Sequence, residues 1–274
     1  MSMASYVGAW RPGPVTDHDD LDPSRAAALS AVLEAEPGTG ALPPLWHWVY
    51  FPDWPRHSDL GADGHPADGH FLPPLPDRRR MIAGGRLAVR KPLEFGRRTE
   101  RARSLGEVTV KHGRTGEMVF VTVHSRLSQG GELCAVEEQD LVYRSGEDAG
   151  RAALSAIDLE GVPSSCAPWQ RLWAPDPVLL FRFSALTTNA HRIHYDEPYV
   201  TGVEGYPGLV VHGPLLVLMM LDLVHGREVA TVSYRLRRPV FAGEQVLAEG
   251  GPEGEFRIAL AREPEAATAQ VTFR

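Results

Sequence analysis

Residues 184–216 read SALTTNAHRIHYDEPYVTGVEGYPGLVVHGPLL. Asn189, His191, His194, Tyr195, Asp196, Tyr199 and His212 crowd into this stretch, directly ahead of an apolar run. A neutral imidazole takes a proton from water near physiological pH, and the imidazolium can return it. Adding water across an activated double bond needs both steps, and His194 is the candidate for them. The plainer alternative is a core histidine bonded to backbone. Gly213 stands at the head of the apolar run with Pro214 behind it, which is the pattern of a helix start. Free N–H groups and the positive end of the helix dipole suit a developing oxyanion there. A thioester carbonyl becoming an enolate would be such an anion, and glycine allows its close approach. The alternative is a tight turn into the helix.

The elements that would position these groups fall into two sets. Residues 22–36 predict a helix, with Asp22 or Ser24 as cap and Pro23 in the first turn. Trp46, Trp48, Tyr50, Phe51 and Trp54 form an aromatic group expected to be buried. Residues 55–76, rich in Pro, Gly, His and Asp, predict a long mobile lid. Strand patterns follow over residues 86–93, 104–112, 118–128 and 132–142. After a weakly patterned connection at 144–175 comes a short segment at 178–184, the polar stretch, an apolar helix over 215–224, and strands over 229–240, 245–249, 256–261 and 269–273. An apolar helix wrapped by an antiparallel sheet is a hot-dog arrangement. The expected class is α+β, a double hot-dog with a degenerate first half (1–150, its central helix near 45–51) and a catalytic second half (151–274).

Composition narrows the function classes. The net charge of −7 offers no basic face for nucleic acid. The longest apolar run is too short to span a bilayer, and no leader pattern opens the chain, so a cytoplasmic protein without membrane attachment is expected. The two cysteines are far apart and read as reduced, buried thiols. His57, His65 and His70 alternate with Asp59, Asp63 and Asp68. Their spacing matches no standard ligand pattern, so no metal is expected.

The segment Thr187 to Asp196, TTNAHRIHYD, resembles the S-G-D-x-N-P-L-H-x-D motif of the MaoC-like, R-specific enoyl-CoA hydratases and aligns with it without gaps. FRFSALTTNAHRIHYDEPYV, YPGLVVHGPL, LPPLWHWVYF and GHFLPPLPDRRRMIAGGR are similar to the subgroup holding mesaconyl-CoA and itaconyl-CoA hydratases and mitochondrial type 2 hydroxyacyl-thioester dehydratases. The resemblance covers residues from about 40 to the end. It implies reversible hydration of an enoyl-CoA thioester, with coenzyme A part of the substrate and no other cofactor. It makes His194 the catalytic histidine and Gly213 the N–H donor to the thioester carbonyl. Asn189 stands where the family has a catalytic aspartate. An amide can hold water but cannot act as a base, so either His194 works alone or a carboxylate comes from elsewhere. Asp196 is the nearest such carboxylate, with a turn cap as its alternative role. His191 would line the site or orient Asn189, with a structural role as its alternative, and His212 is a further candidate to meet the substrate. Arg192 would meet a second carboxylate on the substrate, and Arg78, Arg79 and Arg80 could hold the coenzyme A phosphates, with a solvated charged face as their alternative. A homodimer is expected. The rival readings are a 3-hydroxyacyl-thioester dehydratase, a hot-dog thioesterase, and a non-catalytic acyl-CoA-binding protein.

Overall fold

The computed structural model describes residues 2–36, 40–76, 78–113, 116–144, 156–224 and 226–274. The strands are β1 (Val15–Asp19), β2 (Ala41–Leu42), β3 (Arg79–Val89), β4 (Leu93–Glu94), β5 (Thr99–Gly113), β6 (Gly116–Gln129), β7 (Glu132–Arg144), β8 (Trp169–Trp173), β9 (Val229–Leu236), β10 (Val246–Gly250), β11 (Glu255–Leu260) and β12 (Glu263–Phe273). The α-helices are α1 (Met3–Val7), α2 (Pro23–Leu33), α3 (Pro177–Leu186), α4 (Glu197–Gly202) and α5 (Gly213–Leu221). Ten strands make one sheet in the order β1-β5-β6-β7-β3-β9-β12-β11-β10-β8, antiparallel at every pairing, and β2 pairs with β4. The two halves join where β3 meets β9, from Gly84 opposite Arg235 to Ala88 opposite Thr231. Glycine is required at this seam. A Cβ at Gly84 would lie 2.4 Å from the Tyr234 carbonyl oxygen, and one at Gly85 2.5 Å from the Tyr234 hydroxyl.

Helix α5 is apolar on every side (GPLLVLMML), and Leu215 to Met220 are all buried. A helix with no polar face belongs inside a core, and strands β10, β11 and β12 pack on it. This is the double hot-dog. Among the described residues the first half has no matching helix. Residues 46–49 make a single 3-10 turn, stopped by left-handed backbone at Leu45 (φ +66°) and Phe51 (φ +54°). Pro43, Pro44 and Pro52 flank it, and proline forbids continuation in either direction. The short segment at 178–184 lies inside α3, which Asp176 caps by accepting from the Leu179 N–H. Helix α2 starts as expected, Asp22 accepting from Ser24 N–H. The boundary expected at residues 150 and 151 lies outside the described residues.

Three further expectations are corrected. Trp46, Tyr50 and Phe51 are buried, but Trp54 is 75% exposed, set between Pro52 and Pro55 beyond the core. Cys134 is buried, whereas Cys166 is exposed, and both are free. The segment 55–76 is anchored rather than loose. Gly61 N–H bonds to His65 O, Ala67 N–H bonds to Asp59 O, and Phe71 and Leu75 sit in a second apolar cluster with Val119, Val121 and Tyr143. Among the described residues no helix is long and apolar enough to cross a membrane.

Candidate active site

After α3 the chain turns sharply. Thr188 takes a left-handed backbone (φ +52°), and Asn189 N–H bonds to Ser184 O. The Asn189 side chain then accepts from His191 N–H at 3.0 Å, an Asx turn that sets the direction of the next residues. A 3-10 turn over Arg192–His194 follows. His194 is buried, with Nδ1 2.7 Å from the Val210 carbonyl. A carbonyl only accepts, so Nδ1 carries the proton and Nε2 keeps its lone pair. Burial lowers the His194 pKa from 6.5 to about 4; the bond to Val210 opposes this and the neighbouring His65 adds to it.

His212 stacks on His194, ring centroids 3.6 Å apart, and its Nε2 lies 2.9 Å from Ser184 Oγ. Burial, then the charges His194 and His191 would carry, push its pKa well down. His212 is also the residue before α5 and makes no side-chain cap, so the first N–H groups of the helix are left for another acceptor. A Cβ at Gly213 would lie 2.3 Å from Leu236 Cδ1. Tight packing is therefore one reason for glycine there, alongside access to its N–H.

The segment 61–67 of the first half docks onto this stretch. Arg192 N–H donates to Asp63 O at 2.8 Å, and Arg192 Nη1 to Ala62 O at 2.9 Å. His65 Nδ1 lies 3.1 Å from Asp63 Oδ2, and the His65 ring packs against His191 at 4.0 Å. His191 in turn stands edge-on to His194 at 5.6 Å. The result is a row of four imidazoles, His65, His191, His194 and His212, with a carboxylate at one end and the Ser184 hydroxyl at the other. Burial lowers His65 and takes His191 down to about 2, aided by their neighbours' charges. Burial would raise Asp63, but its bonds to His65 outweigh that and hold it low. Asp63 and His65 were missed as site residues because their spacing in sequence fits no motif; only the topology brings them to His191.

Gly64 allows the docking. It has φ +87°, and a Cβ there would lie 2.0 Å from the Ala190 carbonyl oxygen. Gly64→Ala is expected to cost about 1–3 kcal/mol and to lift the segment off the histidines. Thermal unfolding and limited proteolysis within residues 55–76 would measure it.

The other predicted residues are placed as follows. Asp196 caps α4, accepting from Tyr199 N–H at 3.1 Å, and pairs with Arg192 at 2.7 Å. Arg192 lies over the Tyr199 ring at 3.9 Å. Both residues therefore brace the turn, and neither is left open to a substrate. Arg79 pairs with Glu204, and Arg78 donates to Ala67 O. Arg80 has no ion pair among the described residues, and its charge helps keep His65 and His191 neutral. Donor atoms of Asp63, His65 and His191 all lie within 4.8 Å of one another. The facing atoms of Asp63 and His65 are already bonded together, and two arginine charges bear on His65, which opposes a cation. A groove of about 830 Å³ between Pro168, Arg235, Glu249 and Gln270 contains none of the four histidines.

Residues 45–242 match the family model of hydroxyacyl-thioester dehydratase type 2. The chain is 43% identical to the mesaconyl-C(4)-CoA hydratase of Chloroflexus aurantiacus, over 98% of this chain and 97% of that one. It is 27% identical to the mitochondrial hydroxyacyl-thioester dehydratase type 2 of Schizosaccharomyces pombe, over 74% and 76% of the two chains. In fold it is similar to a MaoC-like dehydratase from Phytophthora capsici, with TM-score 0.66, 12% identity, and coverage of 99% and 98%.

Proposed function

Because the chain belongs to the type 2 hydroxyacyl-thioester dehydratase family, we propose that it is a hydro-lyase acting reversibly at the double bond of an enoyl-CoA thioester. Mesaconyl-CoA or itaconyl-CoA type acyl groups are its proposed substrates, the first supported by the 43% identical relative. The observation that carries the reading is His194: buried, neutral, with Nδ1 tied to Val210 O and Nε2 left as a base.

In hydration, Nε2 of His194 takes a proton from water as the oxygen adds to the β-carbon. The electron pair moves to the thioester oxygen, which the first N–H groups of α5 at Gly213 receive. One such donor is worth roughly 3–4 kcal/mol in a dry site. The imidazolium then protonates the α-carbon. Dehydration runs the same steps backwards, which is the direction named for the family. The chemistry needs no metal or redox cofactor, and coenzyme A arrives on the substrate. Arg192 is taken up by Asp196, so Arg80 is the cation proposed to meet either a second substrate carboxylate or a coenzyme A phosphate. We propose further that the working enzyme is a cytoplasmic homodimer, the pairing supported by the habit of hot-dog sheets to associate.

The test follows enoyl-thioester absorbance with mesaconyl-C(4)-CoA, itaconyl-CoA and crotonyl-CoA side by side, with a thiol-trapping reagent in parallel. Loss of absorbance without thiol release, fastest with a dicarboxyl substrate, is the expected result. Thiol release would make the protein a thioesterase, and binding without turnover a non-catalytic acyl-CoA-binding protein.

A further inference from the structure

We propose that the second group holding the attacking water comes from the other half of the chain, and that it is the Asp63–His65 pair, standing in for the carboxylate absent at position 189. This rests on the hydration reading above.

The nearby alternatives are committed elsewhere. Asn189 spends its Oδ1 on His191 N–H. Asp196 is held by Arg192 and the Tyr199 N–H. Glu204 is held by Arg79 and the Tyr199 hydroxyl. Asp63 is the carboxylate that reaches the histidine row. It grips His65 twice, Oδ1 accepting from the backbone N–H at 3.0 Å and Oδ2 from Nδ1 at 3.1 Å. An ionised carboxylate on Nδ1 fixes the tautomer, so His65 Nε2 is an acceptor, as in a carboxylate–histidine pair that orients an active base. Arg78 and Arg80 act against any positive charge on this ring and keep it in that form. The position is held by backbone: Asp63 O accepts from Arg192 N–H, two residues before His194, and Gly64 lets the segment touch Ala190.

Two acceptors then serve one water. One O–H points to His194 Nε2 and the other to His65 Nε2. The C–O bond forms at the β-carbon as the first O–H breaks, its proton passing to His194. The π pair goes to the thioester oxygen and returns when His194 gives that proton to the α-carbon. His65 neither gains nor loses a proton; it aims the oxygen. A carboxylate in the motif would do this directly. Here the first half of the chain does it, which gives that half a part in the chemistry.

The experiment compares wild type, His65→Leu, His65→Gln and Asp63→Asn in the full-length protein. It measures kcat and KM for mesaconyl-C(4)-CoA, thermal unfolding, and the effect of a chelator. His65→Leu is expected to lower kcat about 10- to 100-fold, with KM changed by less than about threefold, the pattern of an interaction made in the transition state. His65→Gln, whose amide oxygen can accept the same hydrogen bond, should recover most of the loss. Asp63→Asn should fall about tenfold, as the tautomer is no longer enforced. If His65→Leu does not fold, His65→Gln and Asp63→Asn decide: full kcat in Asp63→Asn overturns the proposal. So does His65→Leu within about twofold of wild type, or His65→Gln no better than His65→Leu. Loss of wild-type activity in the chelator, restored by Zn²⁺, would assign the three residues to a cation instead and also overturn it. Wild type inert on every enoyl thioester would overturn the hydration reading itself, and this with it.

Discussion

His194→Ala is expected to lower kcat for enoyl-thioester hydration by about 10³-fold or more, the upper range for loss of a general acid–base group. The one side chain both accepts the water proton and delivers it to carbon, so both steps lose their carrier. KM should change far less, since the imidazole acts on the reacting atoms rather than on the bulk of the thioester. The substitution also leaves the Val210 carbonyl without its donor and opens a gap between His191 and His212. An unpartnered buried carbonyl costs about 1–3 kcal/mol, so lowered stability alone could mimic lost catalysis. His194→Asn separates the two. Its amide can still donate toward Val210, but it cannot carry a proton. Equal inactivity in both variants, with most of the thermal stability kept in His194→Asn, is the expected outcome. Full activity in either would end the acid–base role of His194.

That prediction rests on residues that the sequence already groups together, and the reasons are local. His194, His212 and Gly213 lie within a single run that leads into an apolar helix, and the helix start is written in Gly213, Pro214 and the seven apolar residues after them. Short-range signals of this kind survive folding because the segment itself builds the geometry. Asp196 as a cap was also legible, since an aspartate ahead of Pro198 is a common helix opening. What could not be read was anything depending on two distant segments meeting. The Asp63–His65 pair lies more than a hundred residues from His191, and nothing in its own spacing says that Gly64 will meet Ala190. The commitment of Arg79 to Glu204 was hidden for the same reason, whereas Arg192 finds its carboxylate, Asp196, only four residues on. The first-half helix failed on backbone grounds. Leu45 and Phe51 adopt left-handed dihedrals that no apolar pattern announces.

Stability is expected to fall steeply as pH drops from about 6.5 toward about 4. The sign follows from the depressed histidines. His194 binds a proton near pH 4 when folded, against 6.5 in the unfolded chain. His191 is taken down to about 2, and His212 well below its ordinary value. Between those limits the unfolded chain holds protons that the folded chain refuses, so the stability present above about pH 6.5 is lost as pH falls. Each such histidine contributes about 1.4 kcal/mol per pH unit, and three together about 4 kcal/mol per unit. A domain with about 5–15 kcal/mol in hand should therefore unfold within about one to four units below pH 6.5. Lowered carboxylates such as Asp63 and Glu137 add to the loss only nearer their own unfolded values of 3.8 and 4.5, so the interval from pH 6.5 to 5 belongs to the histidines. Urea unfolding at pH 7.5, 6.5, 5.5 and 5.0 would show it, and His191→Gln should make the slope shallower. A flat profile to pH 5 would mean that these rings titrate normally, and His194 would then be largely protonated at pH 5.5. The same burial serves both properties. It keeps His194 a neutral base while the fold lasts, so hydration should hold its rate down the acid side until the fold itself gives way.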